Sequence, residues 1–149
     1  MSIDRVRGRS ATRSYAAAGL VAGLTWRAAE PRLRRLFGHP YSDPELLTSF
    51  ITRGPLQPLL DYGVQGAGGA TFGLVFARLG GRRTRQAVAA SLGENVVLLA
   101  LSPLVDRYHP DVRSGTWPPL TGNPRAAAVS VSGHLLYGLL LGLLTSERA

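Results

Sequence analysis

The chain has 149 residues, with 17 basic and 9 acidic side chains, 18 glycines, 10 prolines and no cysteine. That length suits one domain and leaves no room for a two-domain enzyme, and the missing cysteine excludes disulfides, thiolate metal sites, a cysteine nucleophile and c-type haem attachment. Every basic residue is arginine, and the net charge of +8 raises nucleic acid as a partner.

The placement of the arginines points elsewhere. Arg5, Arg7, Arg9 and Arg13 precede the first apolar stretch, and Arg78, Arg82, Arg83 and Arg85 follow the second. Arginine thus brackets apolar segments, as in membrane-flanking loops, and no helix-turn-helix, zinc-finger or RNP-like signature accompanies it, so nucleic acid is set aside. Residues 1–13 read as a basic tail without structure.

The first helix is expected over 14–30, stopped or kinked at Pro31. Its charge-free core, Ser14 to Trp26, is short for a span unless Arg27 snorkels and the helix continues to Glu30. An arginine-rich start before Tyr15–Thr25 also fits a signal peptide, but Arg27-Ala28-Ala29-Glu30-Pro31 offers no clean small-x-small cleavage site, and a retained anchor is the favoured reading.

A long loop follows. Within it Ser42-Asp43-Pro44-Glu45 carries an N-cap serine, a proline near the first helical position and a glutamate three residues on, which predicts a short helix over 44–52. Leu46, Leu47, Phe50 and Ile51 share one face of it, suited to the membrane interface or the bundle mouth.

The second long helix is expected over 56–79, ending at Gly80-Gly81, the third over 86–105, weakened at Pro103, and the fourth over 125–145. Residues 106–124, rich in proline and glycine, read as an extended loop with turns, with Tyr108 and Trp117 at headgroup level. The mean hydropathy of +0.07 is low for a membrane protein, and a soluble helical domain is the competing reading. Segment length favours the membrane: Ala126 to Ser146 holds 21 residues without a charge and Tyr62 to Ala77 holds 16, where a span takes about 20 mostly apolar residues. The fold expected is therefore all-α, an integral membrane bundle of four transmembrane helices plus a short interfacial helix. Nine arginines lie near the inner helix ends and eight near the outer when the N-terminus is inside, and the dense clusters flanking the first two helices set both termini in the cytoplasm.

Small residues recur at spacings that close helix packing in lipid requires. Gly19 and Gly23 form a G-xxx-G in the first helix, Gly66 and Gly73 lie in a small-residue stripe of the second with Ala70 and Ala77, and Gly138 and Gly142 form a second G-xxx-G in the last. Packing within the chain is the first reading of these faces and homodimerisation the second. Ser130 and His134 continue the stripe of the last helix, which places the imidazole inside.

On the third helix Ser91, Glu94, Asn95, Leu98 and Ser102 fall on a similar stripe, so Glu94 and Asn95 are expected to face the bundle interior. An ionised carboxylate at that depth costs about 2.5–3.5 kcal/mol, and a Glu94–His134 contact is the simplest remedy. The functional reading is a proton or ion pathway, or a polar substrate site, and the bland one a structural polar pair. Asp61 and Glu30, near the ends of their helices, extend a relay or are simply solvated. Haem ligation by His134 needs a second axial ligand and is set aside, and no cofactor or metal is expected. His109-Pro110-Asp111, with Arg107-Tyr108 before it, matches the tripeptide of J-domain co-chaperones, but no basic soluble helix precedes it. No phosphate loop, nucleophile elbow, HExxH or paired-carboxylate motif is present.

Gly19-Leu20-Val21-Ala22-Gly23 running into Trp26-Arg27-Ala28-Ala29-Glu30-Pro31, together with Ser132-Gly133-His134-Leu135-Leu136-Tyr137-Gly138, resembles the YagU-like bacterial inner-membrane proteins. Pro118, Pro119 and Pro124 add to the likeness, whereas the charged 32–35 stretch and Glu94 depart from it. The resemblance implies a membrane fold in a bacterial inner membrane and little about activity. The sequence therefore points to a non-enzymatic structural or accessory membrane component, with the lipid bilayer and other subunits, or copies of itself, as partners. The alternative is a proton or ion conduit or small transporter using Glu94 and His134.

Overall fold

A computed structural model describes residues 3–146, in which all regular structure is helical. Helix α1 (Ile3–Phe37) is the longest. It begins ahead of the expected start and runs through Pro31 to Gly38, whose φ of +62° supplies the left-handed stop, closed by the His39 N–H donating to the Arg34 carbonyl at 3.1 Å. Pro31 does not end the helix. It lies on the exposed face, where its ring meets no neighbouring helix and the loss is one backbone hydrogen bond.

The short helix α2 (Asp43–Thr48) is capped as expected, by Ser42 accepting from the Glu45 N–H at 3.4 Å, but ends four residues early. Glu45 does not close a capping box: its carboxylate takes the Arg34 guanidinium at 2.6 Å. Helix α3 (Gln57–Arg78) stops at Gly80, φ +74°, with the Gly81 N–H on the Phe76 carbonyl.

Pro103 divides the third expected helix into α4 (Thr84–Ala100) and α5 (Ser102–Tyr108), bent by 45°. The segment expected to be free of helix instead holds the end of α5 and a single turn, α6 (Pro110–Arg113), because His109 caps it and Pro110 sets its first φ. Trp117 is no headgroup anchor either: it is 3 % exposed, with Tyr41, Leu120, Ala126 and Val129 in a core under the α2 and α6 end. Tyr108 is exposed.

The fourth long helix is α7 (Pro124–Ser146), which among the described residues is the one helix long and apolar enough to cross a membrane unaided; α4 with α5 meets that standard as a bent pair. Helices α1 and α3 do not meet it. Arg27 and Glu30 interrupt α1, and the glycines and Gln65 of α3 contribute little hydropathy.

Helix α1 lies between α3 and α7, and α4 packs on the other side of α7. The α1–α3 seam is antiparallel and backbone-close, because at Gly19, Gly23, Gly69 and Gly73 a side chain would meet the opposite backbone: a Cβ on Gly23 would stand 2.6 Å from the Gln65 carbonyl oxygen. Gly66 faces Leu20 and Leu24, Gly138 faces Val88, and Gly142 faces Thr84. The glycine faces are thus occupied within the chain. Ala18, Ala22, Trp26, Phe76, Tyr137 and Leu141 fill the core they enclose.

Candidate functional site

Helices α3 and α4 flank the α1–α7 pair without packing on each other, and the space between them is a groove of about 320 Å³. Phe72 and Gln65 of α3 form one wall and Glu94 and Leu98 of α4 the other. Trp26, His134 and Tyr137 lie at its floor, and the α2 segment, with Tyr41, Asp43 and Leu46, closes one end. No arginine lines it.

The floor is held by polar contacts of α7 with its neighbours. His134 Nδ1 lies 2.9 Å from the Ser130 carbonyl oxygen and 3.1 Å from the Asn95 amide nitrogen, which donates to Ser130 Oγ at 2.6 Å. Trp26 meets the imidazole edge-on at 4.7 Å, Ser91 Oγ donates to the His134 carbonyl at 2.8 Å, and the Tyr137 hydroxyl ties the floor to α3 by donating to the Gly69 carbonyl at 2.7 Å.

Beyond the closed end lies a buried charge cluster. Arg27, 9 % exposed, donates from Nη1 to Glu30 at 2.8 Å and from Nη2 to Asp61 at 3.0 Å, and its plane lies over the Tyr62 ring. Glu30, fully buried, also accepts from Ser42 Oγ at 3.0 Å and from the Asp43 N–H at 3.2 Å. The second oxygen of Asp61 takes the Thr48 hydroxyl. One guanidinium thus serves two buried carboxylates, and the remaining lone pairs go to α2, which pins that helix over the ends of α1 and α3.

Asp43 connects the cluster with the groove. Its Oδ1 accepts from the Tyr41 hydroxyl at 2.7 Å, while Oδ2 is buried with no hydrogen-bond partner among the described residues. Burial raises its pKa, opposed by the nearby His134 and by the Tyr41 hydrogen bond. Tyr41 is in turn pushed well up by burial and by Asp43.

The His-Pro-Asp tripeptide is a structural clamp. His109 is 1 % exposed, its Nδ1 accepts the Asp111 N–H at 3.2 Å, and Nε2 contacts Ser49 Oγ at 3.0 Å and the Leu46 carbonyl at 3.1 Å. The ring stacks on Trp117 at 4.8 Å. Burial lowers the His109 pKa despite the neighbouring Asp111.

This chain matches no known family model, no curated protein and no solved structure.

The expected site residues divide. Asn95 and His134 are inside and in contact. Glu94 is not: its side chain is exposed at the groove, and no hydrogen bond joins it to His134. Glu94 and Asn95 are adjacent, so about 100° of helix separates them, and only one can face α7. Asp61 is buried but committed to Arg27, away from the His134 floor. Arg27, whose snorkelling is the condition for a span reaching Glu30, turns inward instead, because the tight α1–α3 seam brings Asp61 within reach. Asp43, read as part of a helix cap, carries no sequence signal that singles it out as a groove residue.

Proposed function

We propose that this chain is a small integral membrane protein of four transmembrane helices, α1, α3, α4 with α5, and α7, with α2 at the interface. It acts as a non-enzymatic structural or accessory component of a bacterial inner membrane, with both termini cytoplasmic. The observation that carries this reading is the inverted distribution of polarity. Arg27, Glu30, Asp61, Asn95, Ser130 and His134 are buried, while Val75, Val97, Leu104, Leu135, Leu139 and Leu143 are exposed. Water favours the reverse arrangement, and lipid tolerates this one. The α3–α4 turn with Arg82 and Arg83 lies at the opposite end from α2, α6 and the buried charge cluster, which supports the orientation. The resemblance to YagU-like proteins is part of the same proposal.

The chain's lack of cysteine makes the test direct. Arg82→Cys should react with a membrane-impermeant maleimide only after the cells are opened, Thr116→Cys should react in intact spheroplasts, and Leu139→Cys should react in neither. Labelling of all three in a soluble fraction would overturn the reading. Native mass spectrometry after gentle extraction then separates an accessory subunit, with foreign chains at fixed stoichiometry, from a homo-oligomer.

The conduit reading keeps one support, that Glu94 and His134 line the same groove. Glu94→Gln abolishes flux in proteoliposomes if it holds, and leaves assembly intact if Glu94 has no transport role.

A further inference from the structure

The groove between α3 and α4 combines an apolar surface with a one-sided set of polar atoms. Two buried polar side-chain atoms have no hydrogen-bond partner among the described residues, Arg27 Nε and Asp43 Oδ2. The first belongs to the ion-paired cluster. The second belongs to Asp43, which lines the groove together with Glu94 and His134. Two carboxylates, those of Asp43 and Glu94, therefore line a groove that no arginine enters. Trp26, Tyr41, Phe72 and Tyr137 supply aromatic surface around them, and aromatic faces attract cations within about 6 Å. The volume, about 320 Å³, lies at the small end of the range for small-molecule sites, about 300–1,000 Å³.

We propose that the α3–α4 groove is a binding site for a lipophilic organic cation, an ammonium or phosphonium with an apolar body, whose charge is met by Glu94 and Asp43 and whose body lies on Trp26 and Phe72. The site rests on the membrane reading above, because such a molecule reaches it sideways from the lipid between α3 and α4, past the exposed Val97 and Leu101. Glu94 at the mouth is the first countercharge. Asp43 at the closed end is the second. A neutral or anionic molecule of the same shape leaves the acceptors unmatched.

The full chain in detergent micelles is titrated with tetraphenylphosphonium, followed by equilibrium dialysis. Tetraphenylborate, of the same shape and opposite charge, is the control. Saturable binding of the cation alone is expected, weakened about tenfold by Glu94→Gln and by Asp43→Asn. Leu98→Trp, which fills the groove and keeps both acids, should also lose it. Tetraphenylborate binding as tightly, retained affinity in both amide variants or in Leu98→Trp, or no saturable binding by folded wild type would each overturn the site. Glu94 is exposed, so Glu94→Gln remains informative if Asp43→Asn fails to fold. Cation binding by a chain whose cysteine labelling shows it outside the membrane would sink the membrane reading and leave the site standing, so the two fail separately.

Discussion

Arg27 and Asp61, far apart in sequence, meet at 3.0 Å one helical turn beyond the place where Gly23 packs on the Gln65 backbone. The ion pair and the glycine seam share one antiparallel register: Gly19 faces Gly69, Gly23 faces Gln65, and Arg27 faces Asp61. Close backbone approach thus sets the distance at which the charges pair.

Removing Arg27 strands two buried carboxylates. Arg27→Leu should cost about 3–5 kcal/mol, read as a large fall in the thermal midpoint in micelles. Adding Glu30→Gln and Asp61→Asn should recover most of it. An unchanged midpoint in the single variant would mean that Arg27 faces headgroups after all.

Gly19→Ala tests the seam itself. Its Cβ would run into the Gly69 carbonyl, which is backbone and cannot swing aside. Overpacking of this kind costs about 1–3 kcal/mol. Gly63→Ala, where a Cβ meets nothing, should be neutral or slightly stabilising by helix propensity. Equal midpoints for the two would contradict the packing of α1 on α3.

Leu135→Arg separates lipid from water. Leu135 is 40 % exposed near the middle of α7. In a bilayer a central arginine costs about 2.5–3.5 kcal/mol on insertion scales, so membrane integration in a reporter assay should drop. In water the same change would be near neutral and would improve solubility.

His109 gives the α2–α6 end a pH dependence. Its folded pKa lies below the ordinary value of 6.5 because of burial, so the unfolded chain binds the proton more readily. Stability from this residue is complete above the unfolded pKa and is lost as pH falls from there toward the folded value. The contribution of His109 should therefore weaken from pH 7.5 to 5.5, read as the difference between wild type and the His109→Asn variant across that range. His109→Asn keeps a side-chain acceptor for the Asp111 N–H and should flatten that part of the slope. His39, also lowered by burial and then by Arg34 and Arg125, contributes in the same direction, so His39→Asn added to His109→Asn should remove a further part of that slope.

Local chemistry made much of the fold legible. Ser42 and Pro44 announce α2, Gly80-Gly81 ends α3, and Pro103 breaks the third long helix, each through a backbone rule that acts within a few residues. The small-residue stripes told which faces pack but not against what. Matters that depend on tertiary register were not legible. Whether Arg27 turns outward or inward depends on Asp61 lying one turn past a glycine seam, and whether Glu94 or Asn95 meets α7 depends on a rotation smaller than the width of the stripe they share. Trp117 and His109 looked like surface residues because prolines and glycines surround them, yet their rings stack to form the core beneath α2. The groove was not legible either, since it results from two helices not touching.

That non-contact has a mechanical side. The helices form two leaves, α1 with α3 and α4 with α7, joined along the α1–α7 line like pages at a spine, with Trp26 set against Gly133 on the joint. The turn between α3 and α4 joins the leaves at one end and the α2 segment closes the other, so between those ends the width of the gap is set at the spine. Bulk added at Gly133 changes that width without touching either wall.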